Sequence, residues 1–145
     1  MTEIRFSIGP LDEKIQESLT AGFQAHTEDR SLPSFQKDRI NWLVFEGDEQ
    51  LIGVLTADVL WNWVYIDELW VDKDYRGKGL GKELMEKAEG YAISNHMAGL
   101  WLWTQSWQAP EFYLQLGYQE FTRFDDFPKG HSRIGYRKQI SAKHE

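Results

Sequence analysis

Tyr75-Arg76-Gly77-Lys78-Gly79-Leu80-Gly81-Lys82 is the stretch on which the reading of this chain turns. An apolar run, residues 64–71, precedes it, and a run with helical spacing, residues 80–95, follows it. A glycine-rich turn between a strand and a helix gathers several backbone N–H groups around one point. The positive end of the helix dipole aims at the same point, so a phosphate can sit there.

The elements upstream of this turn read as strands and one helix. Ile4, Phe6 and Ile8 alternate with polar residues and suggest a first strand, closed by Gly9-Pro10. Leu11, Ile15, Leu19 and Phe23 recur every fourth residue, which predicts an amphipathic helix over residues 11–24. Residues 26–37 are polar and contain Pro33, so they read as a loop or a short helix. Residues 41–46, 51–60 and 64–71 are strand-like, separated by Gly47-Asp48-Glu49-Gln50 and by Trp61-Asn62-Trp63, which makes an antiparallel meander.

Downstream, Leu80, Leu84, Met85, Ala88, Tyr91 and Ala92 share one helix face. Gly99 breaks the chain, and residues 100–104 form a strand parallel to the one ending at Val71, because a helix connects the two. Residues 109–116 read as a short helix ended by Gly117, and residues 118–124 and 132–140 as a closing pair of strands. The pattern is mixed α/β in a single domain over residues 1–145.

Composition narrows the class. Charged residues make up 27% and hydrophobic ones 41% of the 145, as expected for a globular chain. The net charge of −7 argues against a nucleic-acid partner and mildly favours a cationic small substrate. With no Cys, thiolate nucleophiles and Cys-based metal sites are excluded. His26, His96 and His144 have no metal-ligand spacing, and no metal is expected. The N-terminus is no signal peptide, and the most apolar stretch, residues 51–71, carries Asp58, Asn62, Asp67 and Glu68, so no membrane span is expected. A cytoplasmic location is the default expectation.

Three phosphate-binding patterns compete for the turn. A P-loop, G-x-x-x-x-G-K-[ST], fails because Glu83 follows Lys82. A dinucleotide fingerprint, G-x-G-x-x-G, starts at Gly77 and Gly79 but meets Lys82 at its third glycine. The pattern [QR]-x-x-G-x-[GA] is met by Arg76, Gly79 and Gly81. Arg76, Lys78 and Lys82 add positive charge, and the glycines let a diphosphate approach the backbone.

On these residues the chain resembles the GNAT superfamily of acyl-CoA-dependent N-acetyltransferases. The resemblance implies a central, mostly antiparallel twisted sheet of about seven strands with helices on both faces. It also implies a splayed parallel pair of strands at the cofactor site. Acetyl-CoA is then the co-substrate, its pyrophosphate held by Arg76, Gly77, Lys78, Gly79, Leu80, Gly81 and Lys82. Its pantetheine arm would bond the backbone of Leu69, Trp70 and Val71. A second family pattern, N-x-x-A-x-x-x-Y-x-x-x-G-[FY], is matched by Ala109, Tyr113, Gly117 and Tyr118, with Ser106 in place of Asn. It implies that Ser106, Ala109 and Phe112 lie against the coenzyme. Family members often dimerise, so a homodimer is an open expectation.

Acetyl transfer to an amine requires a base for the ammonium, a stabilised oxyanion and an acid for the leaving thiolate. The resemblance places Tyr113 near the sulfur as general acid. The resemblance implies a base at or near Glu68, acting directly or through water. Strand alternation sends Asp67 and Glu68 to opposite faces, and Asp67 is the reserve because a bulge would change the parity. A carboxylate satisfied by neighbouring backbone or by an Arg is the structural alternative for either. His131, in the turn before the last strand, is a candidate substrate contact. Of the seven Trp, six (Trp61, Trp63, Trp70, Trp101, Trp103 and Trp107) fall on or next to the central strands, with Trp101 and Trp103 on one sheet face and Leu100 and Leu102 on the other. They read either as packing or a dimer face, or as an aromatic wall for a cationic or aromatic acceptor. The leading function is acetylation of a primary amine on a small molecule or peptide. The rival is a non-catalytic acyl-CoA-binding or regulatory domain.

Overall fold

The computed structural model describes residues 2–33 and 37–140. The chain divides into two units, Met1–Phe35 and Gln36–Glu145. The first contains helix α1 (Glu13–Asp29), capped by Asp12, whose side chain accepts from the Lys14 N–H at 2.9 Å. The helix runs past residue 24 to Asp29, further than its apolar spacing suggests. Residues 25–29 contain no Gly or Pro, and the Thr27 hydroxyl donates to the Phe23 carbonyl at 3.0 Å. The segment around Ile4, Phe6 and Ile8 is not a strand, contrary to its alternation. Alternation marks an apolar edge, but a strand also needs a neighbour's backbone, and no ladder among the described residues includes this segment.

The second unit holds one sheet of six strands in the order β1-β2-β3-β4-β6-β5. The strands are β1 (Lys37–Glu46), β2 (Gln50–Leu60), β3 (Trp63–Val71), β4 (Gly99–Gln105), β5 (Gln119–Asp125) and β6 (Ser132–Gln139). The first three form the expected meander, β3 and β4 are parallel, and the remaining pairs are antiparallel. β1 begins four residues before the apolar signal at residue 41, because polar Lys37, Asp38 and Arg39 pair with Leu60, Val59 and Asp58.

Helix α2 (Leu80–Ser94) is the crossover between β3 and β4. It buries Leu84, Met85, Ala88 and Ala92 on one stripe. Those side chains meet Leu55, Ala57, Val64, Ile66, Leu100 and Leu102 of the sheet, all 3% exposed or less. Helix α3 (Pro110–Gln115) leads into β5 and adds Phe112 and Tyr113 to the margin of this core. Tyr118 completes it, its phenol donating to Glu89 at 2.9 Å, which also takes the Lys138 ammonium at 3.2 Å. No helix among the described residues is long and apolar enough to cross a membrane.

Candidate active site

The parallel pairing of β3 with β4 stops at Ile66 and Leu102, although β3 continues to Val71 and β4 to Gln105. The cause lies on the other side of β3. Its register with β2 jumps from Ala57–Ile66 to Thr56–Glu68, so Asp67 is an extra residue. A bulge of this kind sharpens the local twist and turns the strand from its neighbour. A cavity of about 920 Å³ opens in the gap. Residues 66–71 line it from β3, Leu102, Trp103 and Thr104 from β4, and Phe112 and Tyr113 from α3.

The glycine turn lines the same cavity. Gly77 and Gly79 adopt φ of 77° and 84°, a region that other residues enter only with strain. A side chain at either would meet nothing within 4 Å, so the space before the main chain is open. Gly79 is the N-cap of α2, and no side chain caps that end. The N–H groups of the first turn have no partner within the helix, and the residues that carry them, Leu80, Gly81 and Lys82, line the cavity. Arg76 also lines it. The Arg76 Nε donates to the Val71 carbonyl at 2.9 Å, which pins the end of β3 to the turn. The donor set suits an anionic diphosphate, and Leu69, Val71, Ala109 and Phe112 offer an apolar wall for a chain attached to it.

The acidic end of the cavity is organised by a residue that sequence reasoning missed. Arg39 donates to Asp67 at 2.8 Å and Asp58 at 3.1 Å, and reaches Glu68 at 3.4 Å. Hydrogen bonds to Asp67 and then Asp58 raise its pKa above the usual guanidinium range. Asp67 and Glu68 both line the cavity, because the bulge cancels the alternation that would have separated them. Glu68 also accepts from the Thr56 hydroxyl at 2.9 Å, and both its contacts fall on Oε1, leaving Oε2 free among the described residues. Asp58 is buried, with Lys37 3.8 Å from its second oxygen. A carboxylate inside the apolar run of residues 51–60 was the available signal, since such a group needs a cationic partner.

Tyr113 is enclosed by rings, 5.0 Å from Phe112 and 6.2 Å from both Tyr118 and Tyr136. Burial pushes its phenol up to about 12. Leu69, Trp70, Val71, Leu80, Gly81 and Ala109 all stand at the cavity wall. Three of the sequence-predicted residues do not. Lys78 lies over the Tyr75 ring, 5.4 Å from its centroid. The Ser106 hydroxyl accepts from the Ser132 N–H at 3.0 Å, and Gln108 takes its place at the wall. His131 packs edge-on against Trp107 at 5.1 Å. Among the described residues no three His, Cys, Asp or Glu side chains converge as a metal site.

On the sheet face away from α2, Tyr65, Trp101 and Trp103 form a row, with centroids 4.5 Å and 6.5 Å apart. Phe121 and Phe124 extend it, 6.4 Å and 6.0 Å from Trp103. Leu100 and Leu102 face the core, as alternation predicts.

A family model described as Acetyltransferase (GNAT) family matches residues 10–118. The chain belongs to this family. Among similar GNAT proteins, the Blasticidin-S acetyltransferase of Streptomyces morookaense is 39% identical over 82 residues, 56% of this chain and 60% of that protein. The chain thus spans less than two thirds of that curated relative. An acetyltransferase structure from Bacillus cereus shares 27% identity at a TM-score of 0.79, covering 93% of this chain and 98% of the other. A structure described as a streptothricin acetyltransferase of Bacillus anthracis, solved in complex with acetyl coenzyme A, shares 26% identity at a TM-score of 0.63, covering 71% and 63%.

Proposed function

We propose that this GNAT protein, as one N-acetyltransferase domain over residues 1–145, moves an acetyl group from acetyl-CoA to a primary amine by direct attack. One observation carries the reading. A single cavity joins an uncapped, glycine-rich helix start to a carboxylate pair and a buried phenol. Two similar proteins are described as a Blasticidin-S acetyltransferase and a streptothricin acetyltransferase, which supports a small-molecule acceptor here.

When bound, the coenzyme supplies an activated acyl thioester. The chain's residues do the rest. The first-turn N–H groups of α2, with Lys82, hold the diphosphate. Unpaired backbone groups of residues 67–71 hold the arm. Glu68, through its free Oε2, takes a proton from the incoming ammonium, while Asp67 is occupied by Arg39. As the C–S bond breaks, Tyr113 would give its proton to the sulfur and regain one from the new amide nitrogen by way of solvent. Its raised pKa keeps the phenol protonated ahead of that step, because the acid form is lost only as pH rises through about 12.

The test is release of free thiol from acetyl-CoA in the presence of a broad amine panel, alongside calorimetry of acetyl-CoA binding. Uptake of the coenzyme without thiol release from any amine would favour a binding or regulatory domain. Lack of uptake at millimolar concentration removes the reading entirely.

A further inference from the structure

Arg133 sits at the start of β6, in register with Gln105 of β4 and Phe124 of β5. Its guanidinium is stacked 4.7 Å from the Trp103 ring and 5.7 Å from that of Phe127. Three other arginines of this unit have an oxygen partner: Arg39 its three carboxylates, Arg76 the Val71 carbonyl, Arg123 the Glu120 carboxylate. Arg137 is exposed at the surface, over Phe121. Arg133 is half-buried, yet it has neither carboxylate nor carbonyl among the described residues. In a chain with 23 acidic side chains against 16 basic ones, a partly dried guanidinium left without an anion needs a reason. Stacking fixes its plane and leaves its N–H edge free to fork onto a carboxylate.

Its place relative to the cavity supplies that reason. Trp103 lines the cavity, so Arg133 stands at the β4 rim. Asp67 and Glu68 stand on β3 across the gap. Tyr65 of β3 lies 4.5 Å from Trp101, which lies 6.5 Å from Trp103, so one aromatic floor runs across β3 and β4. Asp67 follows Tyr65 by two residues on β3 and Arg133 stacks on Trp103, so opposite charges stand at the two ends of that floor.

We infer that the acceptor carries a carboxylate as well as its amine, the carboxylate forked by Arg133, the body lying on Trp103 and the ammonium directed to Asp67 and Glu68. An α-amino acid is the simplest compound of this class, and a bare polyamine is not of it. The inference rests on the acyl-transfer reading and adds the acceptor's class.

The test compares each proteinogenic L-amino acid with its α-amide, which keeps the amine and side chain and removes one negative charge. Thiol release is measured with the wild type, Arg133→Gln and Arg133→Lys. For the best amino acid, the wild type should prefer the free carboxylate by about tenfold or more in kcat/KM, mostly through KM. Arg133→Gln should erase the preference by lowering the acid's kcat/KM far more than the amide's, and Arg133→Lys should restore part of it. Tryptophan fluorescence of the coenzyme complex should report the same order of affinities. Equal use or binding of acid and amide by the wild type overturns the inference, as does an Arg133→Gln variant that loses both substrates alike. An amine panel turned over with no regard to carboxylates sinks the acceptor class alone. Failure to bind acetyl-CoA sinks the acyl-transfer reading with it.

Discussion

At the scale of single residues, two groups test the proposed chemistry. Tyr113 lines the cavity with no other polar role in the described structure, so Tyr113→Phe should leave acetyl-CoA binding intact. Its kcat should fall about a hundredfold. Because the phenol titrates near 12, any alkaline limb below pH 10 in the wild-type rate profile should persist in the variant. Disappearance of that limb would show that Tyr113 titrates within the working range. Arg39 is the second group. It shares its guanidinium among Asp58, Asp67 and Glu68, so Arg39→Gln releases two cavity carboxylates and strands a buried one. Arg39→Gln should therefore lower kcat about tenfold with acetyl-CoA affinity retained, and Glu68→Gln should lower it at least as far. An unchanged kcat in Arg39→Gln would separate Arg39 from the base.

At the scale of elements, the turn and the bulge do different jobs. The bulge opens the cavity, and the turn makes one end of it attractive to anions. Gly79→Ala tests the turn alone. A methyl there meets no neighbour, so the change in stability is the cost of the left-handed backbone, about 1 kcal/mol. Loss of the close approach should weaken acetyl-CoA by about tenfold or more in calorimetry. Met85→Ala, in the buried stripe of α2, should behave in the opposite way. It should cost about 2 to 5 kcal/mol in denaturant unfolding with coenzyme affinity retained. Much of this was legible in the chain, because β2, β3, β4 and α2 announce themselves by apolar period and by glycine. The start of β1 was not. Lys37, Asp38 and Arg39 look like loop because their partners, above all Asp58, lie a hairpin away in sequence. The Ile4 to Ile8 alternation misled for the converse reason, since local pattern says nothing of whether a pairing neighbour exists. In the site, the backbone ends of β3 and α2 were readable from motif spacing. The carboxylate pair's shared face was not, because a one-residue bulge leaves no mark in composition.

At the scale of the whole molecule, alkaline pH is the condition to which this protein should be most sensitive. Burial is the leading cause of the raised pKa at Tyr65, Tyr113, Tyr118 and Tyr136. A folded-state pKa above the unfolded value of about 10 means that the stabilisation is complete below pH 10. It is lost as pH rises through the folded value, because unfolding lets the phenol ionise. Tyr113 alone accounts for about 2 to 3 kcal/mol between pH 10 and about 12. Thermal melts taken from pH 9 to 11.5 should show a steep fall above 10, and Tyr113→Phe should flatten it. The interrupted ladder has a consequence of its own. β3 and β4 share four residue pairs and then part, so within residues 67–71 the alternate amides that face β4 lack a partner strand while the others stay paired with β2. The β4-facing protons of this stretch should exchange with deuterium far sooner than those of residues 63–66. A guest carrying its own amide groups would slow them by acting as the missing rung, so hydrogen exchange with and without coenzyme should trace its path along β3 residue by residue.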